Sequence, residues 1–348
     1  MAYIDNTALV AYQTRDLQKE IKIPQVGAIE FAKQQTQYFP NLTPELVNKI
    51  RNANGQAIQM SAIKEGTVTV GTAFTFDIPM NLGETAYQTV TIYQFWAGFN
   101  FFEYDFANNA VAKQAYLQAK YEECDKALAN AISTQLITNY NSRRTQVLTT
   151  TGAPSGIAFD ATADALEVSL ALRSTNFLDN FNTLMKQNRL VGTYSMLNSW
   201  GMAHILAYHK MYGSNNEKNL LNQMMPSMFY DDNITVTTGS DATSYLVKDG
   251  AFGIVESVPV EFASGARVGD AIWSYGDMEM PITKMRPLLY QETFKADTSS
   301  LTSSDRPTSA MTVGTKIGIG HSFGFVQTYN SAIGTRANDC VRVDMLNA

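Results

Sequence analysis

GTVTVGTAFTFDIPMNLGETAYQTVTIYQFWAGFNFFEYDFANNAVAKQAYLQAKYEECDKALANAISTQLITNYNS, residues 66–142, decides how this chain is read. In its first part Val68, Val70, Phe74, Phe76, Ile78 and Met80 form an apolar set, while Thr67, Thr69, Thr75 and Asp77 face the other way. A period of two is the signature of a strand with one apolar face. Asn81, Gly83 and Glu84 supply a turn. A second strand follows through Tyr87, Thr89, Val90, Thr91, Ile92 and Tyr93 into the aromatic run Phe95, Trp96, Phe99, Phe101 and Phe102. At roughly 3.3 Å per residue, arms of about 13 residues reach about 40 Å, further than a small domain needs for its own core. Such a ribbon is expected to lie on another surface.

The pattern then changes from two to between three and four. Val111, Leu117, Tyr121, Cys124, Leu128, Ile132, Leu136 and Tyr140 make one stripe, with Lys113, Lys120, Glu123 and Lys126 largely off it. Asn108 or Asn109 is placed to cap the helix start. About 33 residues at roughly 1.5 Å each give a helix on the order of 50 Å long, well beyond the usual globular length. Glu122 and Lys126, four apart in the favourable order, add a few tenths of a kcal/mol at most.

This succession resembles the major capsid proteins of tailed bacteriophages, whose α+β shell fold is named for coliphage Hong Kong 97. The resemblance is one of order and proportion, since no invariant residue signature defines that family. It implies an N-terminal arm at residues 1–62, an extended E-loop at 63–106, and a P-domain with its spine helix at 107–175. An A-domain at 176–279 and returning P-domain strands with the C-terminus at 280–348 complete the implied plan. Within it, helices from Phe177 to Arg189 and from Ser199 to His209, with the strand Val191 to Leu197 between them, would open the A-domain. Strands around Ile234 to Thr237, Tyr245 to Lys248 and Phe252 to Val255 would form its sheet, and Met280 to Phe294 and Thr315 to Tyr329 would be the returning strands.

The same resemblance implies a structural protein, not an enzyme, that assembles into hexamers and pentamers of an icosahedral head around double-stranded DNA. Portal, scaffolding and decoration proteins are further candidate partners. The host bacterial cytoplasm would be the place of assembly and the virion capsid the final location. Expected inter-subunit contacts along the ribbon are Phe74, Phe76, Ile78, Met80, Tyr87, Tyr93, Phe95 and Trp96. Some members of the family join subunits covalently through an E-loop lysine. Here no lysine occurs between Lys64 and Lys113, so a non-covalent shell is expected. With no long extra segment ahead of the arm, scaffolding is expected from a separate protein or from none. Two alternatives stand beside this reading: an encapsulin-type nanocompartment shell, and an unrelated α+β enzyme or adhesin.

Composition agrees with a large folded chain. The 348 residues are 45% hydrophobic and only 17% charged, with Asn, Gln, Ser and Thr replacing charge on the surface. A net charge of −6 gives no basic footprint, so contact with packaged DNA would be non-specific. The two cysteines, Cys124 and Cys340, exclude a disulfide framework, and Cys124 on the helix stripe reads as a small buried hydrophobe. The N-terminus carries no signal-peptide pattern, and no segment has the apolar length of a membrane span. Residues 1–60 mix short helical patterns with breakers at Pro24, Pro40, Pro44 and Gly55, and Asp297 to Thr312 is polar and without periodicity.

The sharpest enzymatic signal is Gly320-His321-Ser322-Phe323-Gly324, which fits G-x-S-x-G. An elbow needs a strand before the serine, a helix after it, and an acid and a histidine later in the chain. Phe325 to Tyr329 instead continues as a strand, and no histidine follows His321. A glycine-flexed strand is therefore expected. His204, His209 and His321 have no metal-ligand spacing, and both helical histidines are expected as partly buried aromatics. The methionines Met211, Met224, Met225 and Met228 read as core filler, and nothing calls for a cofactor.

Overall fold

The computed structural model describes residues 6–15, 24–39, 42–53, 57–63, 85–102, 106, 109–144, 156–160, 162–173, 194–212, 228–295, 313–328 and 340–347. The expected first ribbon strand, the helix from Phe177 to Arg189 and the polar stretch from Asp297 to Thr312 lie outside them.

Three helices come first: α1 (Asn6–Gln13), α2 (Gly27–Gln37) and α3 (Pro44–Arg51). Strands β1 (Ile58–Ile63) and β2 (Thr85–Phe102) lead into the long helix α4 (Ala110–Ser142). Then come β3 (Ile157–Asp160), β4 (Ala165–Val168), α5 (Leu170–Arg173), β5 (Tyr194–Asn198), α6 (Trp200–Tyr212), β6 (Met228–Tyr230), β7 (Ser240–Lys248) and β8 (Phe252–Glu256). The last described elements are α7 (Val260–Ala263), β9 (Arg267–Val268), β10 (Ala271–Tyr275), β11 (Leu288–Lys295), β12 (Val313–Gln327) and β13 (Cys340–Leu346). The chain is α+β, as its sequence suggests.

Helix α4 has the expected length of 33 residues, and the Asn109 side chain accepts the Ala112 N–H at 3.0 Å as its cap. Thr43 caps α3 in the same way, ahead of a proline at the first turn, where a missing N–H costs nothing. The α4 stripe is buried from Leu117 to Tyr140, but Val111 is 79% exposed because the first turn projects beyond the core. The first half of α4 packs Leu117, Tyr121, Cys124 and Leu128 against Leu9 and Tyr12 of α1 and Phe101 of β2. Its second half packs Ile132, Leu136 and Tyr140 against Ile29 and Phe31 of α2, Phe252 of β8 and Phe323 and Phe325 of β12. Each such fully buried large side chain contributes roughly 1.5–3 kcal/mol. The N-terminal helices, in the segment expected as an arm, bury their apolar faces in the chain's own core.

Two sheets flank this core. One is ordered β1-β2-β12-β11-β10-β9, with β8 also on β12, and the other β3-β4-β13-β7-β5-β6. Three expectations are corrected. The strand expected from Met280 begins only at Leu288, because residues 280–286 form a turn closed by the Met280 N–H on Met285 O at 2.9 Å. Residues 234–237 form no strand, since Ile234 turns into the core and the Thr237 N–H is taken by the Thr243 hydroxyl at 3.2 Å instead of a ladder partner. Strand β8 does not join β7. The turn at Asp249 and Gly250, where Gly250 has φ +79° and the Ala251 N–H bonds Lys248 O, sends the chain across to β12 in the other sheet.

Buried carboxylates tie the layers. Asp231 accepts the Ala28 N–H at the start of α2 at 2.8 Å and the Ser133 hydroxyl of α4 at 2.7 Å. It thereby caps a helix distant in sequence, which offsets the desolvation of its own charge. Asp125 of α4 accepts Tyr12 OH from α1 at 2.9 Å and the N–H groups of Ile282 and Thr283 at 2.9 and 3.2 Å.

Candidate assembly surface

Strand β2 is the element on which a contact surface is built. Its first six residues pair antiparallel with β1, Ile63 opposite Thr85 and Ile58 opposite Val90. From Thr91 to Phe102 it pairs with β12. Strand β12 carries β2 on one side and β11 and β8 in succession on the other, because the registers with β2 overlap both of theirs. Along residues 91–102, β2 has this one ladder partner among the described residues. The segment TIYQFWAGFNFF bears no charge and no proline, the usual guards of a sheet edge.

The two faces of β2 differ sharply. Gln94, Trp96, Gly98 and Asn100 are exposed, while Tyr93, Phe95, Ala97 and Phe99 are half-buried against the core. The Tyr93 ring lies 5.8 Å from that of Phe323 and its hydroxyl donates to Asn139 Oδ1 at 2.8 Å. Phe95 stacks on Phe323 at 6.1 Å, and Phe99 meets Tyr121 edge-on at 5.6 Å. Trp96 points outward and is 46% exposed, its ring 5.3 Å from Phe262 of α7. Tyr87 is 71% exposed, opposite Ser61 on the paired part of the ribbon.

The expected contact residues therefore separate into three groups. Phe74, Phe76, Ile78 and Met80 lie outside the described residues. Tyr93 and Phe95 lie half-buried against the subunit's own core, on the face of the strand opposite Trp96. Tyr87 and Trp96 remain available to a partner. The sequence offered no sign of Val260, 46% exposed at the start of α7 beside Phe262, because a four-residue helix carries too little periodicity to show its outer face.

Trp96 depends on a glycine. Gly320 sits directly across the ladder from it, and a Cβ there would stand 2.5 Å from the indole Cε3. Gly314 lies likewise between Phe102 and Phe294, and a Cβ at Gly324 would meet Ile50 and Val90 at 2.8 and 3.0 Å. One face of β12 is a bare track on which rings and branched side chains of its neighbours lie.

The same strand disposes of the elbow. Ser322 and His321 are adjacent in a continuous strand and point to opposite faces. The His321 Nε2 lies 3.1 Å from Thr283 Oγ1, and the Ser322 hydroxyl is buried with no hydrogen-bond partner. His204 is exposed on α6, contrary to the expected half-burial, and the side chain of His209 lies outside those described. Among the described residues no group of three or more His, Cys, Asp or Glu could hold a metal ion. Cys124 and Cys340 are both buried and form no disulfide, and burial pushes the Cys124 thiol up to about 11, far from a reactive thiolate. No described helix is long and apolar enough to cross a membrane.

No protein-family model matches the chain, and no curated protein matches it. Solved structures do. A chain from Mycobacterium phage Cain is 10% identical, with both chains covered completely and a TM-score of 0.48. One from Gordonia phage Cozz is 12% identical over 96% of this chain and 91% of its own, with a TM-score of 0.47. A third, described as the asymmetric unit of the bacteriophage PhiM1 mature capsid, is 10% identical over 86% and 84%, with a TM-score of 0.44.

Proposed function

We propose that this chain is the major shell subunit of a tailed-phage head, with a fold of the Hong Kong 97 type, assembling as hexamers and pentamers around double-stranded DNA. One observation carries the reading: an uncharged ribbon whose 18-residue second strand runs past its partner β1 and leads into a 33-residue helix. The helix is consumed by the subunit's own core, whereas the ribbon presents Tyr87 and Trp96 outward and, along residues 91–102, an edge with neither charge nor proline and no second ladder partner among the described residues. In a monomer such an edge invites uncontrolled pairing. In a shell it is covered by a neighbour, and heterologous contacts close into rings when the rotation fits. Exposed aromatics on a rigid strand suit that role, since they bring contact area at low entropic cost.

Electron microscopy of the purified chain tests this. Closed shells are expected, and particles containing DNA when the protein is isolated from infected cells. Shells filled with a protein cargo would point to a nanocompartment, and a soluble monomer at high concentration would end the shell reading. Replacing residues 66–82 by a short turn keeps the Ile63 and Thr85 end of the ladder and should give folded subunits that do not assemble. The shell is held without covalent links, because the ribbon carries no lysine between Lys64 and Lys113. Boiling assembled particles in SDS should release one band near 38.4 kDa, and a ladder that survives reduction would contradict it.

A further inference from the structure

The hairpin of β9 and β10 carries its tip away from the subunit. Arg267 pairs with Ile272 and Val268 with Ala271, which leaves Gly269 and Asp270 as a two-residue turn. Gly269 has φ +60° and Asp270 stays out of the positive-φ region, the pattern of a tight hairpin turn with glycine first. Residues 267–270 are all exposed, Val268 at 69%, and a Cβ at Gly269 would have nothing within 4 Å. The Asp270 carboxylate has no ion pair or hydrogen bond among the described residues. A valine and an unpaired acid thus stand side by side on a short, rigid projection.

A cavity of about 560 Å³ opens between α3, β8, β10 and the 280–286 turn. Leu42, Val47, Ile254 and Val258 give it apolar walls, and the Val258 N–H on Arg51 O at 2.9 Å fixes the end of α3 beside it. Four charged side chains also line it. Glu256 accepts the Tyr275 hydroxyl at 2.9 Å, and Glu279 lies 3.5 Å from Lys33. Arg51 and Arg286 have no such partner among the described residues. Burial and then Glu256 push the Tyr275 hydroxyl up while Arg286 and Arg51 act against them, so both guanidiniums bear on one point of the cavity.

Two unpaired guanidiniums in a walled recess call for a carboxylate, which Arg binds with two parallel hydrogen bonds. The subunit's own tip cannot supply it. Tyr275 stands five residues along β10 from Asp270, roughly 16 Å away, and pairing with β11 over Ala271–Tyr275 holds that strand extended. We propose that the cavity is a socket for the hairpin tip of a second copy of this chain, with Val268 against the apolar walls and the Asp270 carboxylate between Arg51 and Arg286. Arg267, beside the tip, brings the cation that the two glutamates of the socket call for. A tip on one surface entering a socket on another is a heterologous contact, which repeats head to tail and closes into rings when the rotation fits. The socket rests on the shell reading and gives the shell a contact separate from the β2 ribbon.

Reciprocal charge reversal in the full chain tests it, with the assembled fraction read by sedimentation over a range of concentrations. Asp270→Lys, Arg51→Glu and Arg286→Glu change exposed side chains and should leave the urea midpoint of the unassembled chain unchanged. Each should raise the concentration needed for assembly by about 30-fold, because it sets like charges against each other in the contact. Asp270→Lys combined with Arg286→Glu should bring that concentration back to within about threefold of the parent. Single variants that assemble like the parent would overturn the socket. A combined variant no better than either single one would also overturn it, and would mean that the arginines serve some other acid.

A second measurement separates the socket from the shell. A short bis-maleimide should join Val268→Cys to Val47→Cys between subunits, and the yield should collapse when either cysteine is omitted, since Cys124 and Cys340 are buried. Such cross-links without closed shells would leave the socket standing and end the shell reading. Closed shells in which this pair never cross-links would end the socket and leave the shell.

Discussion

Strands β12 and β13 occupy equivalent places, each in the interior of its sheet with a partner on either side, and they fill space in opposite ways. Strand β13 brings its own packing. Val341, Val343 and Met345 meet Leu166, Met196 and Leu246 on one face. On the other, Asp344 accepts the Thr243 hydroxyl at 2.7 Å and pairs with Arg342 at 2.7 Å. Strand β12 brings Ile319, His321, Phe323 and Phe325 to one face, and on the other carries Gly314, Gly318, Gly320 and Gly324 among only a few side chains, Ser322 and Val326 with them. There Trp96, Phe102, Phe294 and Tyr290 supply the volume from neighbouring strands. A change in β13 should thus be felt locally, whereas a change in the β12 track should displace residues of β2, including the one the shell reading needs at the surface.

The strongest way to break the contrast lies in β13. Asp344→Ala removes the buried carboxylate that accepts from Arg342, Thr243 and Thr237, and should cost about 3–5 kcal/mol in urea unfolding of the isolated subunit. A loss below about 1 kcal/mol would mean that the pair is effectively at the surface. In β12, Gly320→Val should cost about 1–3 kcal/mol by overpacking, less than the 2.5 Å approach to the indole alone implies, because the half-exposed Trp96 ring can swing away. Its fluorescence should shift to the red and shells should fail to form. Normal assembly with a displaced indole would remove Trp96 from the contact surface.

Smaller effects sharpen the same comparison. Ser322 lies on the glycine side of β12 with its hydroxyl buried and unbonded, so Ser322→Ala should leave stability unchanged or raise it by up to about 1 kcal/mol. The parent should also fail to react with a fluorophosphonate, since an unassisted serine is a weak nucleophile. Stoichiometric labelling at Ser322 would revive the hydrolase. Tyr87→Ala, on the exposed ribbon, should change unfolding by no more than about 0.5 kcal/mol yet reduce the yield of shells, as counted by sedimentation. Equal yield would place the contact elsewhere on the ribbon.

At Asp125 the local pattern and the residue's chemistry point in opposite directions. It lies four residues after Tyr121 and three before Leu128, both on the α4 stripe, so periodicity alone places it on the buried face. Its charge argues for solvent, and only the three donors from α1 and the 280–286 turn resolve the conflict. Asp231 and Gln35 are similar cases. Apart from Asn233, two residues after Asp231, their partners stand at sequence separations of 98 to 215, beyond the reach of any local pattern.

The sequence by itself determined the features that depend on neighbours within one turn or one pleat: the 33-residue helix and its Asn109 cap, the alternation of β2, and the failure of the serine motif for want of a later histidine. These follow from short-range geometry, in which a period or a cap is complete within a few residues. Tertiary structure alone decided that Tyr93 and Phe95 face inward while Trp96 faces out, that β8 leaves β7 for β12, and that the glycines of β12 are a seat for other strands' rings. An alternating strand has two faces and two edges of equal standing in the sequence, and only the elements that arrive from elsewhere in the chain make them unequal.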